Sequence, residues 1–186
     1  MKNLDKVLLL AALSLAPGLV LASTADDPAT CAISCTVDGL MEWAGNFTDI
    51  AIAEHITEQD DQVEGTGTAT LYTNGDVTLS ADNTTDPNNA QLTDGTDFLV
   101  TEYKLSTDGD GTNNTGATAA AIAASGSDAW TNYTAFLSTA LAVTHVSQDG
   151  AAVATLSVRA SNDTGNVADS GSYTATQTIT ASWAGA

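Results

Sequence analysis

Leu71-Tyr72-Thr73-Asn74-Gly75-Asp76-Val77-Thr78-Leu79 sets two β-favouring runs on either side of an Asn-Gly pair. Both central residues tolerate positive φ, which makes this the strongest short-range sign of a β-hairpin. Further along, residues 142–146 and 151–159 flank Gln148-Asp149-Gly150 and predict a second hairpin. Residues 172–183 alternate. Tyr173, Ala175, Gln177, Ile179, Ala181 and Trp183 fall at odd positions, and Thr or Ser falls at the even ones, as a half-buried strand requires. Residues 47–53, 65–72, 98–105 and 152–160 are the other strand candidates. Short strands with regular turn punctuation predict an all-β sandwich. Residues 115–141 stand apart: their Ala-rich runs, and Asp128 ahead of Trp130, Tyr133, Phe136 and Leu137, fit a short helical insertion or a loop and a strand. The composition agrees with β structure, being rich in Thr, Ala, Gly, Asp and Val and poor in Lys, Leu and Arg.

The amino terminus reads as a secretory signal over residues 1–22. Lys2 and Lys6 precede an apolar core at residues 7–16, and Val20-Leu21-Ala22 suits cleavage. The expected location is extracellular or at the cell surface, with no membrane span after cleavage, since no later segment approaches the roughly 20 apolar residues a spanning helix needs. The whole chain carries 4 basic and 23 acidic residues, a net charge of −19. Removing Lys2, Lys6 and Asp5 leaves 2 against 22, and the two are Lys104 and Arg159. So negative a surface repels nucleic acid and anionic lipid. It suits a saline or divalent-rich medium, where screening shortens the reach of self-repulsion to about 10 Å or less.

The chain has two cysteines, Cys31 and Cys35. On an extended strand they stand about 13 Å apart, against the roughly 4.4–6.8 Å between Cα atoms of a disulfide. A bond between them requires a bend at Ala32-Ile33-Ser34, and pairing between chains is the other oxidised option. Calcium is the metal the sequence suits best: Asp108, Asp110, Thr112, Asn113 and Asn114 crowd oxygen ligands into one loop, although the bidentate Glu that closes an EF-hand is missing. A solvated turn accounts for the same residues. Asn-x-Thr sequons occur at Asn46, Asn83, Asn113, Asn132 and Asn162, each a candidate glycan acceptor in an exported protein.

Catalysis finds little to work with. His55 and His145 are the only imidazoles, no Gly-x-Ser-x-Gly or phosphate-cradling Gly loop with Lys occurs, and Glu54, Glu58, Asp60 and Asp61 reflect the general acidity. The chain is therefore expected not to be an enzyme. Trp43, Trp130 and Trp183 could line a sugar-binding face, but aromatics of a small β protein usually fill its core.

Two stretches carry a resemblance. Cys35-Thr36-Val37-Asp38-Gly39-Leu40-Met41-Glu42-Trp43-Ala44-Gly45-Asn46-Phe47 resembles the opening Cys strand and aromatic-small-Gly turn of the spore coat protein U domain and the related archaic chaperone–usher pilins. Gly171-Ser172-Tyr173-Thr174-Ala175-Thr176-Gln177-Thr178-Ile179-Thr180 is similar to that family's closing Gly-x-Tyr strand, and Gly65-Thr66-Gly67-Thr68-Ala69-Thr70-Leu71 loosely to an intervening strand. The resemblance implies an immunoglobulin-like subunit that polymerises by lending a strand to its neighbour, with an export chaperone as a further partner. Asp26-Asp27-Pro28 makes residues 23–30 a poor donor. Residues 31–37 make a better one, because Cys31, Ile33, Cys35 and Val37 share one face. The expected organisation is thus a leader at 1–22, an assembly segment at 23–37 and a sandwich domain at 38–186. The expected function is a structural subunit of a surface fibre, pilus, coat or layer, built from copies of itself. An extracellular glycan- or ligand-binding adhesin module is the alternative.

Overall fold

The computed structural model describes residues 29–81, 87–109, 122–146 and 150–185. Two compact units divide the chain at Thr36 and Val37. In the first, described residues 29–36 form no regular element and are exposed. The second holds all the secondary structure found among the described residues: β1 (Met41–Trp43), β2 (Gln62–Thr73), β3 (Val77–Ala81), a 3-10 turn (Pro87–Ala90), β4 (Val100–Asp108), β5 (Ser125–Gly126), β6 (Thr131–Asn132), β7 (Leu141–Val143), β8 (Ala151–Ser161) and β9 (Ile179–Trp183).

These strands form two antiparallel sheets. The larger runs β1-β2-β8-β4-β5, with β6 also on β4, and the smaller runs β7-β3-β9. The two longest strands, β2 and β8, pair from Gln62↔Ser161 to Tyr72↔Ala151, and β4 lies on the other side of β8 from Val100↔Ser161 to Asp108↔Val153. Period-two alternation then fixes the buried face. Leu71, Tyr103, Leu105, Ala154, Leu156 and Val158 of the large sheet pack with Val77, Leu79, Val143 and Ile179 of the small one in one cluster. Each fully buried Leu or Val contributes about 1.5–3 kcal/mol of apolar burial. The fold is thus an all-β arrangement of two facing sheets, as the strand pattern predicts.

Neither expected hairpin forms. β2 passes into β3 through Asn74-Gly75, but the two strands belong to different sheets, and the same holds for β7 and β8. The reason is occupancy: β2 already pairs with β1 and β8 on its two edges, and β8 with β2 and β4. The Asn74-Gly75 turn is a corner between sheets. At this corner the Thr73 amide donates to the Gly150 carbonyl at 2.7 Å, and the buried Thr73 hydroxyl donates to the Gly75 carbonyl at 2.7 Å. The Asn74 side chain turns outward and ties down residues 38–40, donating to the Asp38 carbonyl at 2.8 Å and accepting from the Leu40 amide at 2.7 Å.

Of the two readings of residues 115–141, the loop and strand rather than the helical insertion describes residues 122–141, while 115–121 lie outside the described residues. Residues 122–141 hold β5, β6 and turns, and the 3-10 turn at Pro87–Ala90 is the only helical element among the described residues. Local side-chain bonds outcompete the helix: Ser127 Oγ accepts from the Ala129 amide, and Asn132 Oδ1 accepts from both the amide and the hydroxyl of Thr134. Gly126 at φ 132° and Leu137 at φ 49° break helical continuity on either side.

Residues 47–53 are not a strand. They cross the inner face of the large sheet where β2 carries Gly65 and Gly67. A Cβ on Gly65 would come within 2.6 Å of Ile50 Cγ2, and one on Gly67 would collide with the Thr48 carbonyl. The two glycines therefore let a second layer of chain approach the sheet. Two backbone bonds hold it there, from the Ala44 amide to the Thr70 carbonyl (2.9 Å) and from the Thr48 amide to the Thr68 carbonyl (3.0 Å).

Candidate functional site: an open groove between the sheets

The small sheet has three short strands, so it covers part of the large one. A groove of about 1530 Å³ opens beside the covered part, with Val63, Leu99, Leu156, Val158 and Ala160, all buried, at its base. Its walls are residues 43–59 on one side and 167–179 on the other. It exceeds the roughly 300–1,000 Å³ of a small-molecule site. A smaller recess between β1 and β9, lined by Met41, Trp43, Leu71, Ile179 and Ala181, shares Trp43 and Ile179 with it.

The wall at residues 173–178 departs from expectation. Burial alternates as predicted, with Tyr173, Ala175 and Gln177 half-buried and Thr174, Thr176 and Thr178 exposed, yet the ladder itself is confined to Ile179–Trp183. Along one edge, the Thr174 amide donates to the Thr93 carbonyl (3.0 Å), the Thr174 carbonyl accepts from the Thr93 amide (3.1 Å), and the Thr176 amide donates to the Asn89 carbonyl (2.6 Å). The backbone groups of Ala175 and Gln177, which alternate to the other edge, have no partner among the described residues. Gln177 Oε1 is buried without a partner as well. The groove thus combines an apolar floor with extended backbone that has hydrogen-bonding capacity to spare.

Two apolar side chains stand exposed elsewhere in the chain. Ile33 is 91% exposed and Val37 81%, in a stretch without regular structure. Cys31 and Cys35 are both free and exposed.

The remaining candidate residues are scattered. Asp108 closes β4 and accepts the Gly109 amide on its own carboxylate at 2.7 Å, while Asp110, Thr112, Asn113 and Asn114 lie outside the described residues, as do the sequon Asn83 and residues 1–28. Asn46 is exposed beside the groove. Asn132 spends its side-chain carbonyl on Thr134. Asn162 bridges loops, donating from Nδ2, the atom a glycan would take, to the Glu58 carbonyl (3.4 Å) and accepting the Ala168 amide on Oδ1 (3.1 Å). Glu58, Asp60 and Asp61 gather their oxygens within 4.8 Å, but Asp61 Oδ2 already accepts the amides of Thr57 and Glu58 and the Thr57 hydroxyl. Those bonds hold its carboxyl below the usual range.

His55 lies on the groove wall with Glu54 and Glu58, is exposed and makes no hydrogen bond among the described residues. His145 is half-buried, and its amide donates to Asp76 Oδ1 at 2.8 Å. Trp43 stacks at 5.5 Å on Phe47 and joins the core cluster, and Trp183 packs into that cluster beside Gly39 and Gly75. Trp130 does something composition did not suggest. Lys104 Nζ lies 4.6 Å and Arg159 Cζ 4.8 Å from its ring centre, and Arg159 also pairs with Glu102. The cations predicted to survive leader removal thus share one aromatic ring. Their even spacing on β4 and the Glu102↔Arg159 register put them on the outer face of the large sheet.

Compared with known proteins, the chain matches no family model, no curated protein and no solved structure.

Proposed function

We propose that this protein is an exported structural subunit of a surface assembly, an immunoglobulin-like sandwich whose open groove receives an extended strand from a neighbouring copy. The observation that carries the reading is backbone at Ala175 and Gln177 with no partner among the described residues, set beside an apolar base. An incoming strand satisfies both at once, since its backbone continues the ladder and its alternate side chains fill the floor. The same chain supplies a strand of that chemistry: Cys31, Ile33, Cys35 and Val37 alternate on one face, and Ile33 and Val37 stand in solvent. The resemblance of residues 35–47 and 171–180 to archaic pilins supports the same reading, with an export chaperone as an interim occupant of the groove. The acidic surface keeps unassembled subunits apart until a specific contact overcomes repulsion.

The test is assembly of the purified chain, followed by light scattering and negative-stain microscopy at physiological salt, with and without calcium. The native chain is expected to form oligomers or fibres, and Ile33→Asp and Val37→Asp to remain monomeric with unchanged unfolding midpoints. A native chain that stays monomeric at high concentration, and whose groove residues show no protection on adding a peptide of residues 29–39, overturns it. Calcium-dependent assembly would give Asp108 a role.

A further inference from the structure

Extension and disulfide formation are incompatible over residues 31–35. Extended, the two Cα atoms stand about 13 Å apart. Bonded, they must close to about 4.4–6.8 Å. Resting on the strand-exchange reading, we propose that Cys31 and Cys35 form a redox latch on assembly: as an intrachain disulfide they bend the segment and keep it out of the groove, and as thiols they let it extend and seat.

Three observations carry this. Both thiols are free and exposed, so they are open to thiol–disulfide exchange. The intervening Ala32-Ile33-Ser34 holds three residues, enough for one turn to bring the two cysteines together. The chain's only two cysteines both belong to the segment, so the groove offers them no disulfide partner. Seated, Cys31 and Cys35 enter the groove beside Ile33 and Val37 as small apolar thiols.

The chemistry balances with a low-molecular-weight disulfide as oxidant. One cysteine thiolate attacks a sulfur of that disulfide and expels a thiolate. The second cysteine attacks the mixed disulfide and expels the other. The segment loses two electrons and two protons, and the oxidant becomes two thiols. Because only the reduced strand seats, the groove and the oxidant compete for it, and a hundredfold preference for the seated reduced form raises the couple's potential by about 59 mV.

The experiment poises the purified chain in glutathione buffers from reducing to oxidising, quenches with iodoacetamide, and reads thiol state by intact mass and assembly by light scattering. Expected is a tenfold or greater fall in assembly as the Cys31–Cys35 disulfide fills, with a Cys31→Ser/Cys35→Ser chain assembling equally in every buffer. Equal assembly of the oxidised chain, or oxidation only to interchain dimers, overturns the latch and leaves strand exchange standing. If neither the reduced chain nor the double-serine chain assembles, strand exchange itself fails and the latch falls with it.

Discussion

The Tyr103 hydroxyl donates to the Ala90 carbonyl at 2.7 Å, joining the centre of β4 to the 3-10 turn. Its ring is 3% exposed and lies 5.3 Å from that of Phe136, and burial pushes the phenol up to about 12. The neutral form is therefore the one the fold stabilises. That contribution is complete below the unfolded value near 10 and is lost as pH climbs through about 12, to the extent of about 2–3 kcal/mol. A urea midpoint flat from pH 8 to 9.5 and falling above 10 is the expected outcome. Tyr103→Phe should cost about 1 kcal/mol at neutral pH and flatten that alkaline fall.

Gly67 and Gly45 should respond oppositely to a side chain. A Cβ on Gly67 collides with the Thr48 carbonyl and comes within 2.9 Å of Ile50 Cγ1, whereas one on Gly45 meets nothing within 4 Å. Gly67→Val is expected to lower stability by about 2–3 kcal/mol through overpacking. Gly45→Ala should be neutral or raise it by a few tenths. Equilibrium unfolding of both variants checks the pair.

Arg159 holds Glu102 with Nε at 2.9 Å and Nη2 at 2.5 Å while its guanidinium covers Trp130. Both partners of the ion pair are about a quarter exposed, at 21% and 25%, so solvent screens it and the expected loss for Arg159→Ala is about 1–2 kcal/mol. Lys104→Ala should cost less, about 0.5–1 kcal/mol. A double-mutant cycle of each with Trp130→Ala measures the ring's share, and a coupling near zero would remove Trp130 from the account.

Asn74→Ala removes the acceptor of the Leu40 amide and the donor to Asp38. Amide exchange at Leu40 should quicken roughly tenfold, with protection of Leu71 and Leu79 nearly unchanged. A fall in core protection would mean that the corner, rather than residues 38–40, depends on Asn74.

With a net charge of −19, self-repulsion should respond to salt. Raising ionic strength from 0.1 to 1 M cuts the screening length from about 10 to 3 Å, and the thermal midpoint should rise by several degrees. Calorimetry across that range checks it.

Much of the β content was legible because alternation is a local property. β2 and β8 span their expected strands, β4 is displaced from its own by two to three residues, and burial still alternates at residues 173–178 where no ladder forms. The Asn-Gly signal was a true turn with the wrong partner: propensity reports that the chain reverses, not which strand it meets. The groove was not legible at all. It arises from two glycines that admit residues 47–53 onto the sheet and from a small sheet too narrow to cover the large one.

By itself the sequence determined that the chain is acidic, β-forming and able to offer one alternating apolar stretch at residues 31–37, since charge, propensity and period are fixed residue by residue. Only the tertiary structure decided which strands share a sheet. β2 and β8 are the longest candidates and take each other's edges, so their neighbours in sequence are forced into the second sheet. Only the tertiary structure, likewise, places the backbone of Ala175 and Gln177 beside the groove with no partner among the described residues.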